Sequence, residues 1–199
     1  MIDVALAHLG KYLQEHLSEK DMPVNLVFED RENAFKKMSK DGGALDLPAI
    51  AFFSSDINPI NPRTGLKDIV VNPNNNNTEA ITVKMLNVSM QISMVIFASN
   101  LKDFMRLSKK YMGLWVVESS YSYDITIGND HPITMEDTIR NPAPLSVPPA
   151  FLERRDHEDS EYYAYDGSVE LVSCLFYDSK KKLITHINSS IQLEEYFAK

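Results

Sequence analysis

The residues with chemistry to offer are few and poorly spaced for it. His8 and His16 lie eight residues apart on one helical stretch, too far to chelate a single ion, and no His-Glu-x-x-His pattern accompanies them. Asp156-His157-Glu158-Asp159 supplies oxygen and nitrogen donors in series. An EF-hand loop needs alternate ligands around a central glycine, so this stretch reads better as a solvated charge run. Cys174 is the single cysteine, which excludes an internal disulfide and a cysteine-based zinc site. Its neighbours Val172, Leu175 and Phe176 mark a small core residue rather than a nucleophile. Ser54-Ser55-Asp56 is a turn signal, and Asp124 and Thr126 sit on the polar side of a strand with no general-acid partner at a spacing that sequence fixes. Of seven glycines only Gly42 and Gly43 are adjacent, which leaves no phosphate-cradling loop and no dinucleotide fingerprint. No catalytic residue, metal ligand or cofactor is expected. An active site would have to be assembled from residues distant along the chain.

The elements around these residues follow from hydrophobic spacing. Ile2, Leu6, Leu9, Leu13 and Leu17 form one apolar stripe on a helix ending near Lys20. Pro23 precedes a short strand, Val24 to Phe28, and Asp30 caps a short helix with Ala34, Phe35 and Met38 inward. Ala49 to Phe53 is a second strand. From Leu86 to Met94 apolar and polar residues alternate without a break, and an amphipathic helix from Leu101 to Met112 follows directly, with Gly113 as its natural stop. Tyr121, Tyr123, Ile125 and Ile127 alternate on a further strand. Val169 to Tyr177 and Leu183 to Leu193 read as a hairpin. Two proline- and asparagine-bearing stretches, about 54–82 and 128–161, read as irregular excursions. The expectation is one α+β domain over residues 1–199, with a largely antiparallel sheet and two main helices on one face.

Totals narrow the function classes. The chain has 199 residues, 44% hydrophobic and 24% charged, enough for one sizeable core. A net charge of −8 argues against specific nucleic-acid binding, which needs clustered Lys and Arg. No stretch approaches the roughly 20 apolar residues of a membrane span, and residues 1–20 lack a leader pattern, so folding in a cytoplasm is expected. An interaction role has more behind it. Leu86, Val88, Met90, Ile92 and Met94 fill one face of the central strand, while Asn87, Ser89, Gln91 and Ser93 fill the other without a charge. Such a face packs on another protein, lines a lumen, or lies beneath the domain's own loops. Asn74, Asn75, Asn76 and Asn77 sit in an excursion that either orders against a neighbour or remains a surface loop. Lys180, Lys181 and Lys182 form a turn that reads as a solvated tip and, on the interaction reading, as a further contact.

Met22-Pro23-Val24-Asn25-Leu26-Val27-Phe28, then Arg31-Glu32-Asn33-Ala34-Phe35-Lys36-Lys37-Met38, then Leu47-Pro48-Ala49-Ile50-Ala51-Phe52-Phe53 resembles the opening of the tail-completion proteins of contractile-tailed bacteriophages. In their tail-sheath stabiliser and tail-terminator group, a strand leads to a small helix with an Arg-aromatic pattern. A Leu-Pro-x-Ile strand, an irregular loop, and a long strand running into a helix follow. Val83 to Lys110 has that last form, with Asp103-Phe104-Met105 near the helix start. The resemblance covers about residues 20–127, with a weaker echo from Val169 to Leu193. It is one of arrangement and carries over no interface residue. The Asn-rich loop at 72–77 and the Pro-rich segment at 142–149 depart from it. It implies a virion protein made in the host cytoplasm that forms a six-fold ring of its own copies at the head-proximal end of a tail. Such a ring stops tube or sheath polymerisation and meets the head-completion proteins. The acidic balance suits a neck lumen through which DNA slides without sticking. The alternatives are a baseplate or head-completion (connector) part on a similar scaffold, or a small hydrolase.

Overall fold

The computed structural model describes residues 2–38, 46–60, 67–71, 81–114, 119–128, 131–140, 153–157, 160–178, 183–184 and 187–189. Helix α1 (Ile2–Leu17) buries Leu6, Leu9, Leu13 and Leu17, as their spacing requires, and turns Lys11 and Glu15 outward as an ion pair at 3.8 Å. Each leucine contributes about 1.5–3 kcal/mol by burial, so packing rather than intrinsic propensity holds this helix. Helix α2 (Arg31–Met38) starts where Asp30 Oδ1 accepts the Asn33 amide at 2.9 Å. Helix α3 (Leu101–Leu114) has a reciprocal cap. Asn100 Oδ1 accepts the Asp103 amide at 2.9 Å, and Asn100 Nδ2 donates to the Asp103 carboxylate at 2.6 Å. The helix runs through Gly113 to Leu114 rather than stopping before it.

The strands are β1 (Asn25–Phe28), β2 (Ala49–Pro59), β3 (Lys67–Val71), β4 (Ile81–Ala98), β5 (Ser119–Ile127), β6 (His131–Arg140), β7 (Glu153–His157), β8 (Ser160–Tyr177) and β9 (Ile187–Ser189). Among the described residues they form one sheet in the order β1-β2-β4-β8-β6-β5-β9, with β3 beside β4 and β7 beside β8. Only the β1–β2 pairing is parallel among them. The molecule is therefore α+β, strand-rich, with an antiparallel-dominated sheet that curls. Its spine is the pair β4–β8, 18 residues each, whose ladder runs from Lys84↔Tyr177 to Ala98↔Tyr163 without a register shift.

Because that register holds, side-chain parity can be followed along the whole spine. On the first face, Met90, Ile92, Met94 and Ile96 join Val169 and Leu171 of β8, the α1 leucines, and Leu107 and Tyr111 of α3 in one core. On the second face, Val95 and Phe97 meet Ala164 and Tyr162 of β8, Ala51 of β2 and Ala34 of α2. Further along that second face, Val83, Cys174 and Phe176 pack with Tyr123, Ile125 and Ile127 of β5 and Met135 of β6. Strand β6 pairs with β8 only over Thr138↔Val172 to Arg140↔Glu170, which frees the β5–β6 pair to fold over the spine's far end. Helices α1 and α3 thus share one face, and α2 adds a layer on the other.

Two expectations change. Residues 128–161 are not irregular throughout: β6 and β7 lie within them, and β8 begins at Ser160, nine residues before the expected Val169. The Pro132 ring sits at the second residue of β6, opposite Thr126, where a missing amide is tolerated. In the first stretch, β2 continues to Pro59 across a bulge between Ser54 and Asp56, and β3 occupies Lys67–Val71. Among the described residues the expected closing hairpin shows one bridge, Tyr177↔Leu183, and β9 pairs with β5. On the edge of β8 away from β4, β6 covers only Glu170–Val172 and β7 only Ser160–Ala164, so the bridge forms beside Tyr177, while β9 lies on the outer edge of β5.

Helix α3 sits so close to β8 that a Cβ at Gly167 would lie 2.7 Å from the Tyr111 hydroxyl oxygen, whereas Gly113 faces open space. Gly167→Ala is expected to cost about 1–3 kcal/mol in urea unfolding, and Gly113→Ala to gain about 0.5–1 kcal/mol from helix propensity. Met90, 1% exposed, gives a test of parity. Met90→Asp abolishes the cooperative thermal transition, because an unpaired charge enters the core, while Ser93→Lys on the opposite face leaves melting nearly unchanged. The reverse pattern by circular dichroism would mean the faces are misassigned.

Candidate interaction face

The second face is covered at both ends, by α2 over Val95 and Phe97 and by β5–β6 over Val83 and Cys174. Between them lies an uncovered strip. Asn87 and Ser93 are exposed, and Ser89 and Gln91 are half-buried. Register brings neighbours to the same side. Asn58 and Val172 flank Ser89, Asp56 and Glu170 flank Gln91, and Phe53 and Ser168 flank Ser93. Arg140 of β6 stands beside Glu170. Ser89 Oγ donates to Glu170 Oε1.

The four β4 residues expected to form a polar contact face lie on one side of the sheet, Asn87 and Ser93 exposed and Ser89 and Gln91 half-buried. The expectation that the face is uncharged holds for β4 alone. Asp56, Glu170 and Asp166 give it an acidic character, with Arg140 at the margin. Strand pairing supplies those charges, and a single strand's sequence does not reveal its partners. The bulge between Ser54 and Asp56 is decisive, because it rotates Asp56 and Asn58 onto this side. The remaining candidates, Asn74, Asn75, Asn76, Asn77, Lys180, Lys181 and Lys182, lie outside the described residues.

A second cluster escapes sequence reading. Asp137 on β6 is fully buried, and Tyr123 donates its hydroxyl to Asp137 Oδ2 at 2.9 Å. Tyr121 and Ser173 stand near the same carboxyl and favour its charge, yet Asp137 Oδ1 and both those hydroxyls lack a well-directed hydrogen bond among the described residues. Burial dominates and pushes the Asp137 carboxyl up to about 6. Burial and the Asp137 charge raise the Tyr123 hydroxyl and push the Cys174 thiol up to about 12, which makes Cys174 the inert core residue its neighbours suggested. On the other side, His8 of α1 stacks on the Tyr123 ring at 3.8 Å and 12°, and its Nε2 bonds Ser189 Oγ of β9 at 2.6 Å. Burial and the nearby Lys11 lower the imidazole to about 4.

A serine oxygen against an imidazole is the contact of a nucleophile with its base. Here an imidazole titrating near 4 has little pull on a hydroxyl proton at neutral pH, so the contact fastens α1 to the sheet edge. Beside it, a cleft of about 330 Å³ is lined by His8, Tyr12, Glu15, Tyr121, Tyr123 and Asp124, where Tyr12 stacks on Tyr121 at 5.0 Å. Asp124, weighed above as an isolated acid, accepts from Thr134 Oγ1 at 2.7 Å across β5–β6. Among the described residues no group of three or more His, Cys, Asp or Glu is placed to hold a metal ion, and no helix is long and apolar enough to cross a membrane. No protein-family model matches the chain, and no curated protein matches it.

The two buried titrations oppose each other. Asp137 is raised in the folded state, so it adds stability as pH falls from about 6 toward the ordinary carboxylate value near 4. His8 is lowered, so its contribution is complete above about 6.5 and is lost as pH falls toward 4. Measured as the change in unfolding free energy from pH 7 to pH 4.5, Asp137→Asn should fall about 2 kcal/mol further than the wild type. His8→Gln should shift the opposite way. Identical pH profiles for all three proteins would rule out both assignments.

Proposed function

We propose that this chain is a structural virion subunit that assembles with its own copies into a ring at the head-proximal end of a contractile phage tail. The ring ends tube or sheath polymerisation and offers a surface to the head-completion proteins. The observation that carries this reading is the uncovered strip from Asn87 to Ser93, in the middle of a sheet whose second face is otherwise packed. A polar strip of that length, free of β4 charges, suits a protein partner or a lumen better than a substrate.

Three further features agree with it. The order β1, α2, β2, β4, α3, with the long strand passing straight into the capped helix, is the arrangement on which the family resemblance rests. With α1 and α3 on the first face, the middle of the second is left for contacts. A net charge of −8 lets DNA pass a ring's lumen without binding to it.

Size-exclusion chromatography with light scattering tests the ring directly. A ring mass, together with docking of the purified protein onto isolated tails, is the expected result. A persistent monomer that ignores tails would end this reading. Virions lacking the protein should show overlong or headless tails by electron microscopy. Deleting Asn74 to Asn77 should leave circular dichroism and melting unchanged and reduce ring formation several-fold. Loss of folding on that deletion would show that the segment belongs to the core.

A further inference from the structure

One edge of the sheet is only partly used. Strand β5 pairs with β6 along its whole length, Ser119–Ile127, but β9 covers its other edge only at Ile125–Ile127. Among the described residues no strand pairs with Ser119 to Asp124 on that side. The cleft of about 330 Å³ lies against this stretch. One wall is α1, through His8, Lys11, Tyr12 and Glu15, the i, i+3, i+4, i+7 set of one helical face. The other wall is four consecutive residues of β5, Tyr121 to Asp124. Side chains alternate across a strand, so four in a row line a cleft that runs along the strand's edge. The cleft therefore opens onto backbone N–H and C=O groups, the template for one more strand.

The cleft begins where β9 stops. His8 belongs to its wall, and His8 Nε2 bonds Oγ of Ser189, the last residue of β9. The pairs Ile127↔Ile187, Thr126↔Asn188 and Ile125↔Ser189 set an antiparallel register. Carried on past Ser189, that register puts Ser190 beside Asp124, Ile191 beside Tyr123, Gln192 beside Ser122 and Leu193 beside Tyr121. The two patterns agree at every step. Tyr123, Ile125 and Ile127 are buried, whereas Ser122 and Asp124 are exposed. The approaching chain offers apolar Ile191 and Leu193 to the tyrosine side, and polar Ser190 and Gln192 to the solvent side. A shift of one residue would reverse all four. On the inner side stand the stacked rings, His8 on Tyr123 and Tyr12 on Tyr121, against which aliphatic cross-strand neighbours pack well.

We infer that this cleft is a strand-acceptor groove, filled by residues 190–193 of the same chain as a continuation of β9. Continuity fixes the occupant, because Ser189 already lies on this edge and the residues after it need no crossing to enter. Seated there, the segment completes the β5 edge and sets Ile191 and Leu193 between the sheet and α1. It acts as a strap that holds the first helix down, with the His8–Ser189 bond as its first fastening. A cleft filled in this way is not a substrate site. The same segment from a second copy would make the same bonds, since an exchanged strand is chemically identical, and that occupant is an outcome of the test.

Cross-linking in the full chain tests register and occupant together. Ser122→Cys with Gln192→Cys places two thiols at directly opposed positions, within the span of a disulfide, while the native Cys174 is buried. Under mild oxidation this pair is expected to close within one chain, seen as a faster band on a non-reducing gel. Ser122→Cys with Ser190→Cys is two residues out of register, beyond easy reach, and is expected to close at least about tenfold more slowly. Equal rates for the two pairs overturn the register, and failure of both to close overturns the groove. Disulfide-linked multimers from the in-register pair overturn the same-chain occupant and assign the groove to strand exchange between copies. Hydrogen exchange reads the strap without cross-links. Amides of residues 120–124 that point away from β6 are expected to be protected, and Ile191→Asp with Leu193→Asp to speed their exchange at least about tenfold, whereas Gln192→Asp leaves it unchanged. Unprotected amides there in the wild type would overturn the strap.

Discussion

The unbroken ladder between β4 and β8 is the constraint on which every other placement depends. Fifteen consecutive residue pairs, Lys84↔Tyr177 through Ala98↔Tyr163, fix which side chain faces which side over a length that reaches all three cores. A slip of one residue would send Met90, Ile92, Met94 and Ile96 away from α1 and α3 and bring Ser89, Gln91 and Ser93 beneath them. The two strands protect each other from that slip. The apolar set of β4 is matched by Val169 and Leu171 on the first face and by Ala164, Cys174 and Phe176 on the second. On the second face the polar run Asn87, Ser89, Gln91 and Ser93 stands opposite Cys174, Val172, Glu170 and Ser168.

The layers then divide the labour. The first face is sealed by two helices tied to each other by the Arg106–Glu19–Asp21–Lys110 ion cluster. The second is sealed at one end by α2 and at the other by the folded-over β5–β6 pair. The polar groups buried where β5, β6 and β8 meet α1, Asp137 with Tyr121, Tyr123 and Ser173, are a costly inclusion in an apolar core. They join α1, β5, β6, β8 and β9 through a chain of contacts from Asp137 to Tyr123 to His8 to Ser189.

Much of this was legible in the chain itself. The leucine stripe of α1, the Asp30 cap, and the alternation from Leu86 to Met94 each report a single element's contacts, and the structure reproduces them; the Asn100 cap of α3 was not singled out. What escaped detection depends on pairing between distant strands. Nothing local announces that Ser160 to Ser168 extends β8, because Glu161-Tyr162-Tyr163-Ala164-Tyr165-Asp166 shows no alternation of aliphatic and polar residues. Pro132 disguised β6, and β9 pairs with β5, a partner distant in sequence. The open strip was visible as four uncharged residues, but its acidic neighbours came from β2 and β8 and from a bulge no spacing rule marks. The His8–Tyr123–Asp137 cluster joins positions more than a hundred residues apart and left no signal beyond a lone aspartate in an apolar alternation.

The bond between His8 and Ser189 spans 181 residues of sequence and joins an early helix to a late strand. During synthesis α1 leaves the ribosome first, and its seat on β9 does not exist until about 10–40 s later at roughly 5–20 residues per second. Through that interval the nascent chain lacks a finished sheet edge and a fully docked first helix.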